Sequence, residues 1–128
     1  MLLNVQTSPG EFLDKLTILE IKSERITDPA KLENVRRELE LLRATWAASP
    51  LASRDVAALV ADLKRVNETL WEIEDRIREK EAARTFDADF IELARAVYRT
   101  NDRRAAIKRD LNVALGSTLL EEKSYQSY

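Results

Sequence analysis

Histidine and cysteine are absent from this 128-residue chain, glycine occurs twice, proline three times and methionine once. Without histidine, the usual general base near neutral pH and the commonest metal ligand are missing. Without cysteine there is no disulfide, no thiolate nucleophile and no zinc site built on sulfur. Catalysis would fall to Asp, Glu, Lys, Arg, Tyr or Ser, and any metal would be an oxygen-loving ion such as magnesium, manganese or calcium. No sign of charge dominates: 21 basic residues face 23 acidic ones, a net charge of −2. Nothing global therefore favours nucleic acid or an anionic membrane surface. No apolar run approaches the roughly 20 residues needed to span a bilayer. Met1 to Gln6 lack the basic segment of a signal peptide, so a cytoplasmic location is expected.

What is present forms helices. Apolar residues make up 45% and charged residues 34% of the chain. At helical spacing, with so few glycines and prolines to interrupt it, that balance predicts an all-α protein. The length suits one domain, 1–128. Residues 1–7 read as an extended arm. Ser8-Pro9-Gly10-Glu11 then starts a helix, with Ser8 as cap, Pro9 in the first position and Glu11 closing the capping box. That helix is expected to run from about Pro9 to about Ile26, with Phe12, Leu16 and Leu19 on its apolar face. Asp28-Pro29 repeats the start signal after a short break, which predicts a helical hairpin. The second helix, to about Ala48, carries Leu32, Val35, Leu39, Leu42 and Trp46 at three- and four-residue steps, a coiled-coil-like seam.

Ser53 is the expected cap of a third helix reaching about Ala83, with Leu63, Leu70, Ile73 and Ile77 in its seam. Asp87 caps a fourth, from about Ala88 to about Leu115, stopped by Gly116. The expectation is an antiparallel bundle of four main helices, two of about 20 and two of about 30 residues. A tail, 117–128, follows, and its composition fits a docked arm or disorder. The long pair would project apolar seam beyond the short pair, which invites a partner; a two-fold homodimer is the commonest solution.

Three polar rows flank the seams. The third helix carries Asn67, Trp71, Glu74 and Arg78; the first carries Lys15 and Lys22; the fourth carries Tyr98, Asn101 and Lys108. A solvated flank laced with salt bridges has the same spacing. A large aromatic in the row, Trp71, favours partial burial. The fourth helix also holds a basic run that includes Arg95 and Arg104, which would be neutralised by acids of the first or third helix or left to bind an anion. If the rows converge, the expected site is Lys15, Lys22, Asn67, Trp71, Glu74, Arg78, Arg95, Tyr98, Asn101, Asp102, Arg104 and Lys108. Its basic members would hold a small anion, Trp71 and Tyr98 would form an apolar wall, and Glu74 and Asp102 would orient the arginines.

The chain shares features with two helical enzyme patterns. Helical nucleotide pyrophosphohydrolases hold magnesium with carboxylates one turn apart, a spacing that Glu11 with Asp14 and Glu72 with Asp75 share. The Glu-x-x-Glu half of that pattern is missing. Helical chorismate mutases surround a dicarboxylate with Arg and Lys, which Arg95, Arg104 and Lys108 could imitate without a motif.

Other blocks carry a broader likeness. They include Pro9-Gly10-Glu11, Leu13-Asp14-Lys15-Leu16-Thr17-Ile18-Leu19-Glu20-Ile21-Lys22, and Leu70-Trp71-Glu72-Ile73-Glu74-Asp75. Further along come Asn101-Asp102, Arg104-Ala105, Ile107-Lys108 and Glu121-Glu122-Lys123-Ser124-Tyr125. Over nearly its whole length the chain resembles a family of small bacterial all-helical proteins described only as a domain of unknown function. The resemblance implies an occurrence near glycosyltransferase and surface-polysaccharide genes, a tail that belongs to the domain, and no established catalytic residue. The expected function is a non-catalytic binding or interaction module, serving surface-polysaccharide assembly, with a protein partner or a small anionic ligand, no cofactor and no nucleic acid. The alternatives are a magnesium-dependent nucleotide hydrolase and a purely structural dimerisation domain.

Overall fold

The computed structural model describes residues 1–128. Four helices follow one another without a strand: α1 (Pro9–Arg25), α2 (Pro29–Ala48), α3 (Ala57–Ala82) and α4 (Ala88–Ala114). They form the all-α bundle expected, with two shorter and two longer helices. Three starts follow their capping signals. Ser8 accepts the N–H of Glu11, Asp28 that of Lys31 and Asp87 that of Phe90, each satisfying a donor the helix leaves unpaired.

The start of α3 departs from expectation. Ser53 does not cap it; residues Pro50–Ser53 form a short 3-10 turn opened by Ser49, and α3 begins only at Ala57 behind Val56, with no side-chain cap. Proline at the head of the turn supplied a nearer start signal that Ser49 could cap, so the chain closes one tight turn before the long helix begins.

α1 is the hub. It packs against α2 on one side and against the α3–α4 hairpin on the other, whereas α2 approaches only α1 and the 3-10 turn. Leu13 therefore joins Leu63, Leu111 and Leu115 in one buried cluster, while Leu16 and Leu19 join Leu39 of α2 in a second. Phe12 stacks on Trp46, ring centres 6.0 Å apart, bridging the two clusters. Each such leucine stabilises the fold by roughly 1.5–3 kcal/mol of apolar transfer.

Gly10 lets α1 lie this close to α4. A Cβ there would stand 2.5 Å from the Lys108 carbonyl oxygen and 2.9 Å from Asn112 Oδ1. The Gly10 N–H instead donates to Asn112 Oδ1 at 2.7 Å. Asn112 also ends α4: its carbonyl accepts the Ser117 N–H across Gly116, which adopts φ 67, the left-handed stop that glycine favours. The tail is docked. Glu121 bonds Lys108 at 2.8 Å, Glu122 lies 3.4 Å from Arg109, and the Tyr128 hydroxyl donates to Asp102 with its ring against Tyr98.

α1 stops short of the hairpin tip. Its last residue, Arg25, reaches Glu68 and Glu72 of α3, and beyond that level α3 and α4 cover only each other. Arg84, at φ 52, turns the chain between them. Lys80 braces the turn through Asp87 at 2.9 Å.

Candidate functional site

Between α1 and the α3–α4 hairpin, a cleft of about 380 Å³ opens. Its floor is apolar, made by Ile18, Ile21 and Leu70. Trp71 stands beside it, and Asn67, Glu74, Asp75, Asn101 and Arg104 supply the polar groups. Asn67, Trp71 and Glu74 share one face of α3 because they are four and three residues apart. α4 runs the other way and presents Asn101 and Arg104 at the same level.

A buried polar network fixes one wall. Asp14, on the inner face of α1, is 2% exposed. Its Oδ1 accepts Arg104 Nε at 2.9 Å and Asn67 Nδ2 at 2.9 Å, and its Oδ2 accepts Arg104 Nη2. Asn67 Nδ2 also lies 3.1 Å from Thr17 Oγ1, which donates to the Asp14 carbonyl at 2.8 Å. No buried side-chain polar atom is left without a partner. A forked, charge-assisted pair of this kind fixes orientation as well as position. Hydrogen bonding to Asp14 raises the Arg104 pKa above the ordinary arginine value against the opposing effect of burial. The guanidinium is therefore permanently charged and held by two of its nitrogens. Its Nη1 donates to no protein group, which leaves those hydrogens for the cleft.

Five of the twelve residues expected from sequence meet here: Asn67, Trp71, Glu74, Asn101 and Arg104. Seven do not line the cleft. Lys15 is exposed and faces Glu38 of α2 at 3.4 Å, and Lys22 lies elsewhere on α1. Arg78 reaches Glu74 at 3.3 Å from the solvent side. Arg95 pairs with Glu92 of its own helix at 3.2 Å. Tyr98 and Asp102 are engaged by Tyr128 of the tail. Lys108 lies a turn beyond Arg104, its side chain 9% exposed between Glu11 at 2.6 Å and Glu121 at 2.8 Å. Burial pulls its pKa down, but the two carboxylates more than offset this and leave it raised.

The basic run of α4 is thus answered by α1, by the tail and within α4 itself; no acid of α3 pairs with it. Asp14, and neither Glu74 nor Asp102, orients Arg104. The two Glu-x-x-Asp pairs point apart. Glu11 and Asp14 turn to α4 cations, Glu72 turns to Arg25, and Asp75 borders the cleft alone among the four. No three acidic side chains are grouped to share a metal ion.

Sequence reasoning missed Asp14 as the anchor and Ile18 and Ile21 as the floor. Asp14 sits between Leu13 and Leu16 with Thr17 one turn on, and an acid placed on a buried, largely apolar face is a signal for a buried partner.

The arrangement of α1, α3 and α4 around this cleft draws together residues from Asp14 to Arg104. No curated protein and no solved structure matches the chain. One family model does, over residues 3–128, and it takes in the N-terminal arm, all four helices and the tail: the chain belongs to a family of unknown function, DUF6165.

Proposed function

We propose that the chain is a non-catalytic binding module whose cleft takes a neutral, hydroxyl-rich ligand of the saccharide class. Arg104, locked by buried Asp14 with its remaining donors beside Trp71, is the observation that carries this reading. A pyranose offers a C–H face for an indole and a ring of hydroxyls that both donate and accept. Trp71 with Ile18, Ile21 and Leu70 suits the first. Glu74 and Asp75 as acceptors, with Asn67, Asn101 and Arg104 as donors, suit the second.

Charge argues against the anion expected from the basic run. The single cation lining the cleft is paired with Asp14, and two further carboxylates, Glu74 and Asp75, border the same space. A free anion would meet more negative than positive charge there. The reading extends to a part in surface-polysaccharide assembly, a cytoplasmic place where activated sugars are made, and a homodimeric state. No helix is long and apolar enough to cross a membrane.

Titration with monosaccharides and short oligosaccharides, followed by tryptophan fluorescence and calorimetry, tests the proposal. Saturable binding that Asn101→Ala weakens supports it. Binding of inorganic phosphate or simple dicarboxylates in preference to every sugar would overturn it.

A further inference from the structure

The α3–α4 hairpin has a second face, turned away from α1, that nothing in the chain covers. α2 packs on α1 instead of closing the bundle, so this back face is an open trough along both long helices. Near the tip it is a groove of about 660 Å³ floored by Ile73, Leu93 and Ala96; further down, Val66, Ala106 and Ile107 continue it. Val66, Thr69, Ile73, Arg76 and Lys80 follow three- and four-residue steps along α3, and Leu93, Ala96, Thr100, Arg103 and Ile107 do so along α4. That is the spacing of helices that pack lengthwise against other helices.

We infer that this back face is where a second copy of the chain docks, two hairpins closing a four-helix bundle about a two-fold axis parallel to the helices. The inference rests on the homodimer reading above and names its surface. The charges along the two rims choose the occupant. Near the tip, α3 presents Arg76 and Lys80 while α4 presents Asp89 and Glu92 at the same level. Lower down the signs exchange, Asp62 on α3 standing across from Arg103 on α4. A two-fold axis along the hairpin lays α3 of one copy over α4 of the other at matching height, so each rim meets its opposite sign. Glu79 breaks the pattern near the tip; Arg65 breaks it lower down and is answered by Asp62 within its own chain. A nucleic acid or an anionic membrane would need one sign throughout, which this face lacks.

The area is also adequate. From Asp62 to Ala82, α3 spans about 30 Å at ~1.5 Å per residue, and two helices side by side are ~20 Å wide. A footprint of roughly 600 Å² per copy gives about 1,200 Å² in total, at the lower edge of stable interfaces.

Sedimentation equilibrium of the wild-type chain, Arg76→Glu, and the double variant Arg76→Glu with Glu92→Arg tests the surface, with circular dichroism confirming that each is folded. Both side chains are exposed, and Glu92 pairs only with Arg95 and Arg99 on the surface of its own helix, so neither reversal is expected to unfold the chain. Reversal at Arg76 turns two symmetry-related attractions into repulsions and is expected to weaken the dimer roughly tenfold or more; the double variant is expected to recover most of that loss. A wild-type dimer indifferent to Arg76→Glu, or one that the double variant fails to restore, would overturn this surface while leaving the homodimer reading intact. A wild-type monomer up to the highest soluble concentration would overturn both, leaving the trough to a different protein.

Discussion

Asp14 and Arg104, ninety positions apart in the chain, form a two-pronged ion pair at the junction of α1 and α4, with the carboxylate buried and the guanidinium reaching the cleft. The pair serves packing and site at once. It lets a charged residue sit on the inner face of the hub helix, and it holds the arginine at the edge of the cleft beside Ile18 and Ile21 of α1.

Arg104→Ala is expected to destabilise the fold by about 3 kcal/mol or more, because the buried Asp14 carboxylate is left uncompensated, and Asp14→Ala is expected to cost less, because Arg104 opens on the cleft where water reaches it. Urea unfolding of Arg104→Ala and Asp14→Ala reads the two losses.

Gly10→Ala is expected to cost about 1–3 kcal/mol, since the added methyl meets the backbone carbonyl of Lys108 as well as a side chain. Thermal unfolding reads the loss. A neutral or stabilising outcome would mean that α1 and α4 do not approach as closely as described.

Arg84 holds a left-handed conformation that glycine adopts without strain, at the turn between α3 and α4. Arg84→Gly should raise stability by about 0.5 kcal/mol, the relief of backbone strain exceeding the greater entropy of glycine in the unfolded chain. Denaturant midpoints of the two proteins give the comparison.

The docking of the tail should depend on pH. Lys108 holds Glu121 ionised, so its folded pKa lies below that of the free side chain. The contact is fully present above the ordinary carboxylate range and is lost as pH falls through the depressed value. Backbone heteronuclear NOE values of residues 119–128 should therefore fall at low pH, and Glu121→Gln should blunt the pH dependence.

Much of this was legible in the sequence where the signal is local. Ser8 with Glu11, Asp28 with Pro29, and Asp87 each marked a helix start, because a cap is a contact made within a turn. Asn67, Trp71 and Glu74 could be placed on one face for the same reason: helical spacing is itself a distance. The beginning of α3 was misread because Ser49 and Ser53 both bracket a proline turn, and only packing decides which of them a helix follows. The role of Asp14 was hidden because its partners lie on other helices. Nothing in the spacing of Asp14, Asn67 and Arg104 says that they meet; the rotation of three helices about a common core does that. Glu11 and Asp14 share the one-turn spacing of a magnesium pair, but α4 brings Lys108 and Arg104 against them.

Trp71 is the reporter for the cleft itself. Calorimetric titration of wild-type protein and Trp71→Ala with a panel of monosaccharides, oligosaccharides, phosphate and dicarboxylates compares the ligand classes in one experiment. The account expects saturable binding of at least one saccharide to the wild type, weakened about tenfold or more in Trp71→Ala, with no binding of the simple anions. A tight anion with no saccharide, or saccharide binding untouched by the loss of Trp71, would contradict it.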